Sequence, residues 1–262
     1  MHYSIDGLVI KEIETGENDK RITLLTANKG KVTVSAKGAR SLKSKYMNAV
    51  GLFTYGNYEI TERNGYSWLG GGSVIEPFYK IRDNIDRLSL ASYIVDVAGE
   101  LSGEDYPADE LLRLTLNTLF AIATDMRPRE QIKATYELRA MAISGYLPSL
   151  DSCDVCGVKK ADFMYLDIMN GVLRCEDCIH KLSSRADATV AEDGTAVVIV
   201  PMSYGAVSLA RYVIQADEQK ILSVNADERV LGEFSRMAEA YLLHHLEKKF
   251  TSLDFYNSVK NI

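Results

Sequence analysis

Four cysteines carry the sharpest chemical signal in the chain. Cys153-Asp154-Val155-Cys156 and Cys175-Glu176-Asp177-Cys178 repeat the pattern C-x2-C, and the eighteen residues from Gly157 to Arg174 separate the two. That spacing falls in the window for tetrahedral zinc, where each thiolate pair takes one side of the ion and a hairpin brings the pairs together. Phe163–Asp167 and Gly171–Leu173 supply strands for such a hairpin, with Asn170-Gly171 at its turn. One structural Zn per chain, bound by Cys153, Cys156, Cys175 and Cys178, would use every cysteine present. Two disulfides or four buried thiols are the competing readings, and a cytosolic chain would not keep the disulfides. A shell of four thiolates is closed, hence structural rather than catalytic. His180, two residues after Cys178, is only a weak rival ligand.

Basic residues give the second signal. Lys20, Arg21, Lys29, Lys31, Lys37, Arg40, Lys43 and Lys45 follow one another with no acid between Asp19 and Glu59. Residues 1–80 hold eleven Lys or Arg and eight Asp or Glu, a balance of +3, so a chain of net −6 carries −9 in its remainder. Such a block attracts a polyanion even from an acidic protein. In Lys31–Lys37, Val32, Val34 and Ala36 alternate inward, which sets Lys31 and Lys37 on the outer face. Gly38–Lys45 then reads as a mobile basic loop able to clamp a sugar-phosphate chain. A solvated, solubilising loop is the alternative. The aromatics nearby, Tyr46, Phe53, Tyr55, Tyr58, Tyr66 and Trp68, read mainly as barrel core, with a subset left to stack on bases.

Catalytic patterns are absent from the sequence: no G-x-S-x-G, no H-E-x-x-H, no Walker loop, and no cysteine beyond the four. Gly70-Gly71-Gly72 lacks the Lys-Ser/Thr of a phosphate loop and reads as a strand bulge. His244 and His245 are adjacent on a helix and point apart. Acid pairs at helix starts, such as Asp109-Glu110, answer the helix dipole.

The elements that must position these residues follow from periodicity. The first 76 residues alternate with period two between turns at Thr15–Asn18, Asn28–Gly30 and Arg63–Gly65, which predicts five strands: Ser4–Lys11, Arg21–Ala27, Lys31–Lys37, Leu52–Glu62 and Tyr66–Ile75. Five short strands suggest a closed OB-type barrel over residues 1–78, a frequent binder of single-stranded nucleic acid. From Pro77 the period becomes about 3.6. Helices are expected from Ile81 to Gly99 or Gly103, over Ala108–Thr124, Arg129–Ser144, Tyr204–Gln215 and Asp227–Phe250. The fold class is thus α+β: an N-terminal five-stranded barrel, then a helical domain over 79–262 with a four-cysteine hairpin inserted at about 150–182. At 262 residues and 47% hydrophobic the chain is an ordinary globular one, which excludes disorder and fibre. No apolar run approaches the ~18–20 residues of a membrane span, and Met1–Asp6 offers no secretory signal, so a cytoplasmic protein is expected.

The order of these parts resembles the RecO family of bacterial recombination mediators. Carrying the resemblance are Gly7-Leu8-Val9-Ile10, Gly16–Arg21 with Thr23-Leu24-Leu25-Thr26, and Gly30-Lys31 leading to Ala36-Lys37-Gly38-Ala39-Arg40. Tyr136-Glu137-Leu138-Arg139, Gly145–Leu150 running into Cys153, and Lys249–Leu253 extend it over nearly the full chain. Tyr136 stands where the family more often has Phe, and Thr251 where Lys is common. The resemblance implies a non-enzymatic role in homologous recombination and the repair of DNA damage. Its members bind single- and double-stranded DNA, anneal complementary strands, contact the acidic tail of single-stranded DNA-binding protein, and work with RecR so that RecA can replace that protein. Arg127, Arg129, Lys133 and Arg139 are the candidate cations for a partner's acidic tail, and association with the nucleoid during repair follows. Two rival readings are a zinc-containing transcription regulator, which lacks a recognition helix here, and a nucleic-acid-modifying enzyme with an OB module, which lacks a catalytic carboxylate cluster.

Overall fold

The computed structural model of the chain describes residues 1–41, 43–183 and 198–260. Leu42 in the basic segment, residues 184–197 of the expected helical domain and the last two residues therefore lie outside the described residues. Two compact units form, Met1–Met126 with Phe250–Ile262, and Arg127–Lys249. Among the described residues no helix is long and apolar enough to cross a membrane.

In the first unit β1 (His2–Thr15), β2 (Asp19–Thr26), β3 (Gly30–Ala36), β4 (Tyr55–Arg63) and β5 (Tyr66–Glu76) close into a barrel in the order β1-β2-β3-β5-β4. This is the OB-type barrel the strand count called for. The fourteen-residue β1 is long enough to pair antiparallel with both β2 and β4, and Gly7 and Leu8 sit between the two. A shift in register at Ile10 releases the rest of the strand to β2 alone. The turn Asn64-Gly65 has positive φ at both positions (52° and 75°), the geometry of a two-residue hairpin. Opposite Glu59 and Ile60 the ladder passes from Gly71 to Leu69, so Gly70 is the bulge expected of the glycine run. Val9, Ile22, Leu24, Val34, Tyr58 and Ile60 fill the interior.

Residues 37–41 and 43–54, expected to be a loose basic loop and the start of a strand, are a chain of turns whose Ala39, Ala49 and Val50 belong to the barrel core. The Tyr58 hydroxyl donates to the Ala49 carbonyl at 2.7 Å and fixes this plug from within. β4 consequently starts at Tyr55, and Phe53 is buried with a left-handed φ of 66°.

Three helices follow: α1 (Tyr79–Arg82), α2 (Ile85–Leu101) and α3 (Asp109–Ala123). The helix expected from Ile81 is split, because the Asn84 side chain accepts from the amides of Asp86 and Arg87 and starts α2 there. The turn before β3 docks on the segment after α2: Lys31 N donates to Gly103 O at 2.8 Å and Ala108 N to Ala27 O at 2.7 Å. The second unit begins with α4 (Arg129–Ile143) and continues through β6 (Ser149–Cys153), β7 (Phe163–Asp167), β8 (Val172–Cys175), α5 (Glu176–Ser183), β9 (Ile199–Ser203), α6 (Tyr204–Gln215) and α7 (Glu228–Leu246). The chain then returns to the first unit as α8 (Thr251–Val259), packed on α2, where Phe250 meets Tyr93 edge-on at 5.6 Å. Compactness thus groups α1–α3 and α8 with the barrel, a cut different from the expected 1–78 and 79–262.

The hairpin of the second unit is the centre of a four-stranded sheet, order β6-β8-β7-β9, with β6 parallel to β8 and the other pairs antiparallel. Above it, α4 packs along α7. Lys133 of α4 is only 3% exposed, with Nζ 2.8 Å from Glu137 Oε1 and 2.7 Å from Glu239 Oε2 of α7; the Glu137 side chain is fully buried. Burial works against the charge on Lys133, but the two carboxylates outweigh it and hold the ammonium above its ordinary pKa.

Two predictions follow from this packing. A Cβ at Gly30, whose φ is +58°, would lie 2.2 Å from Gly103 O and 2.5 Å from Tyr106 O. Gly30→Ala is therefore expected to destabilise the first unit by more than the ~1–2 kcal/mol of left-handed strain alone, seen as a lowered Tm. Lys133→Met, which strands a buried carboxylate, should lower stability by about 3–5 kcal/mol in urea unfolding, with most of the loss recovered in Lys133→Met/Glu137→Leu. An unchanged urea midpoint for the single variant would show the ion pair to be energetically inert.

Candidate metal centre and nucleic-acid interface

Each thiol is placed by the end of an element. Cys153 closes β6, Cys156 follows one turn later, Cys175 closes β8, and Cys178 lies in the first turn of α5. Gly157 N donates to Cys153 O at 2.9 Å, folding the first knuckle back, and Asp154 N donates to Leu173 O at 2.8 Å, tying it to β8. The four Sγ atoms lie within 4.8 Å of one another, a group able to hold a metal ion. Cys156 Sγ is 3.6 Å from Cys175 Sγ, far beyond the ~2.05 Å of a disulfide, and all four are free thiols.

Electrostatics mark the group as a cation site. Burial alone would raise the Cys153 thiol, yet backbone N–H donors of Cys156, Cys175 and Val155, with the Cys156 thiol, bring it down to about 6. Burial dominates at Cys175 and Cys178, which are raised, Cys178 to about 12 with the neighbouring cysteines adding to the effect. A thiolate at Cys153 is thus favoured by its backbone donors, whereas burial disfavours one at Cys175 or Cys178 unless a positive charge offsets it. His180 is 73% exposed, faces Glu176 at 3.8 Å, and stands outside the cysteine group.

The eight basic residues of the barrel separate into two sets. Lys20 pairs with Glu12 at 2.8 Å, Lys29 with Glu62 at 3.7 Å while resting over the Tyr3 ring, and Arg40 with Glu14 at 3.2 Å. Lys31, expected to reach outward beside Lys37, instead donates its Nζ to Gly99 O at 2.7 Å. The inward alternation of Val32, Val34 and Ala36 holds, but the carbonyls at the end of α2 draw the long Lys31 side chain to them. Arg21, Lys37, Lys43 and Lys45 are exposed and make no ion pair among the described residues. Arg63, not singled out by charge, is exposed as well. Its signal in the sequence is its place before Asn64-Gly65, which sets it across from Tyr66.

In the second unit the four expected docking cations are not gathered on one groove. Lys133 is internal, which corrects its expected role: its charge answers Glu137 and Glu239. Arg127 donates to Leu222 O at 2.7 Å and to Ser223 O at 3.3 Å, and Arg139 to the carbonyls of Val213 and Ile214. Arg129 is half-buried at the start of α4. Arg211, missed in the sequence, donates to the carbonyls of Leu150, Asp151 and Lys159 at 2.6, 2.9 and 3.3 Å and clasps the chain on both sides of the first knuckle. Its partners are main-chain atoms, so no residue pattern announces it. His245 Nε2 lies 2.9 Å from Ile168 O, and burial holds its imidazole below the ordinary pKa.

Comparison with known proteins agrees with this architecture. A family model described as Recombination protein O N terminal matches residues 1–78, and one described as Recombination protein O C terminal matches residues 82–254. A DNA repair protein RecO of Acetivibrio thermocellus is 32% identical over 256 residues, covering 98% of this chain and 96% of its own. Its counterparts in Thermoanaerobacter sp. and Caldanaerobacter subterraneus are 29% and 28% identical, aligned over 98% and 95% of this chain. With barrel, helices and cysteine hairpin all falling inside alignments that run nearly end to end, the chain belongs to the RecO family of DNA repair proteins.

Proposed function

We propose that the protein binds single- and double-stranded DNA through its barrel without reading sequence, anneals complementary strands, and helps load RecA onto strands coated with single-stranded DNA-binding protein. The observation that carries this reading is the set of exposed, unpaired cations Arg21, Lys37, Lys43 and Lys45 on the closed barrel of a chain whose net charge is −6. Such cations contact phosphates and position a strand; they carry no base code, as annealing of arbitrary sequences requires. A cationic surface also screens one strand from the charge of its complement. The role is non-enzymatic and cytoplasmic, close to the nucleoid during repair. RecR and the acidic tail of single-stranded DNA-binding protein are the proposed protein partners. Arg127, Arg129 and Arg139, which are half-buried, remain as contacts for that tail.

Zinc is the metal proposed for the four thiols. Around an ion at ~2.3 Å, tetrahedral thiolates stand ~3.8 Å apart, and the 3.6 Å between Cys156 and Cys175 fits that edge. A bound ion would supply a crosslink, with no open position for substrate; β6, β8 and α5 are the parts it would join.

Replacing Lys37, Lys43 and Lys45 together with Ala should make the slope of log K against log salt shallower by about two units for single strands, at ~0.7 per phosphate contact. The loss should be alike across unrelated sequences, and annealing should fall with it. An unchanged slope would move the DNA site off the barrel.

Metal analysis should find one zinc per chain, and Cys175→Ser should lose it while leaving DNA binding by the barrel intact. Because the Cys175 and Cys178 thiols are raised, binding must expel their protons, so zinc affinity should climb steeply with pH. Chelator competition at pH 6 and pH 8 measures this; protein free of zinc, or an affinity flat in pH, would reject the assignment.

A further inference from the structure

Of the barrel aromatics, Phe53 and Tyr58 are buried in the core. Tyr66 and Trp68 are not. Leu69 is buried and turned into the barrel, so its neighbour Trp68, the only tryptophan of the chain, lies on the outer face, half-buried. Tyr66, two residues earlier, shares that face and is 69% exposed. The two ring centroids are 6.0 Å apart with planes inclined at 33°.

The register shows what surrounds them. One row of paired residues crosses the outer surface as Ile13, Arg21, Ser35, Trp68 and Thr61. Beside Trp68 on β3 stands only the small Ser35, with Thr33 and Lys37 the next outward positions on that strand. On the β3 side the rings therefore meet small side chains, with Trp68 and Ser35 themselves half-buried. Exposed cations flank the rings: Arg21 pairs across from Ser35, Arg63 across from Tyr66, and Lys37 follows at the end of β3. Of the nearby acids Asp19 is engaged, whereas Glu59 is exposed on the same outer face. Asp19 accepts from the Gly38 amide at 2.8 Å, and the Glu59 carboxylate lies against Gly71.

We propose that Tyr66 and Trp68 form a stacking platform for the unpaired bases of single-stranded DNA, with Arg21, Lys37 and Arg63 taking phosphates alongside. This deepens the reading above and rests on it. Aromatic rings flanked by cations on a barrel's outer strands match a flexible polyanion that carries a flat face at every unit, and stacking tolerates any base. Duplex DNA, whose bases are already stacked, gains only the phosphate contacts.

The test uses the full chain and a dT oligonucleotide, with tryptophan emission as a direct reporter of position 68. Expected are quenching of Trp68 by single strands but not by duplex, and a loss of about five- to 150-fold in single-strand affinity for Tyr66→Ala. The salt slope of that variant should stay unchanged, since no phosphate contact is removed. Trp68→Phe, which keeps a ring and spares the fold, should bind more tightly than Trp68→Ala. Unaltered emission on binding, or full affinity in Tyr66→Ala and Trp68→Phe/Ala alike while the Lys37, Lys43 and Lys45 variant still loses slope, would overturn the platform and leave a purely phosphate grip. Failure of the wild-type chain to bind any DNA at low salt would overturn the DNA-binding reading itself, and the platform with it.

Discussion

Closure of the five-stranded sheet by β1 is the constraint on which the surface chemistry of the first unit depends. One strand has to satisfy β2 and β4 at once, which confines the doubly paired stretch to Gly7 and Leu8 and forces the shift at Ile10. Past that point no edge is free in the middle of the barrel, and alternate residues of β2, β3 and β5 are committed to its outer side, where Leu25 is covered while Arg21 and Thr33 meet water. Period-two alternation then acts as a sorting device. Ile22, Leu24, Val32 and Val34 go in, and Arg21, Thr33, Ser35 and Trp68 go out, whatever function the outside is given. The parallel contact of β3 with β5 sets Trp68 beside Ser35, two residues separated by half the length of the barrel sequence.

The same sorting explains how far the sequence could be read. Strand order, hairpin turns and the glycine bulge depend on neighbours in the chain, and Asn64-Gly65 or Gly70 declare them locally. Helix extents within a residue or two, at α3, α4 and α6, follow from the spacing of their apolar residues. Long charged side chains are different, because their roles are decided by whatever acceptor the fold brings within reach. Lys31 on β3 and Lys37 just past its end share the outward phase, yet Lys31 finds the carbonyl of Gly99 and Lys37 finds solvent. Lys133 has an acid one turn away on its own helix, a pattern common on exposed faces. Only the packing of α7, which delivers Glu239, shows that it lies inside. Which of the barrel aromatics face outward is open in the sequence for a related reason: an aromatic residue in a strand names no face until the phase of that strand is fixed, here by Leu69.

The cysteine group was legible because the thiol spacing itself brings four ligands together, but its setting was not. Two strands near the cysteines are apparent from the chain, whereas β6 pairs parallel to β8, and β9 joins β7 from beyond residue 197. A sheet assembled from such distant pieces has little local preference for itself. The thiols stand at the ends of β6 and β8 and in α5, and Arg211 holds the flanks of the first knuckle through three carbonyls. A crosslink at that corner constrains the pieces that loop closure makes entropically costly to gather, by bridging residues 153 and 178.

The charge distribution follows a parallel division of labour. An acidic remainder of −9 repels nucleic acid from most of the chain, so a polyanion is steered to the one cationic stretch the barrel displays. In the proposed function, phosphate contacts there would hold any strand, paired or not, and weaken together as salt rises. The proposed platform adds a term of a different kind. Its hold on a base exists only while that base is unstacked, and pairing with a complement withdraws the base face into the duplex. An annealing surface built this way grips its substrate more strongly than its product without any source of chemical energy, because forming the duplex itself removes the contacts that retained the single strand.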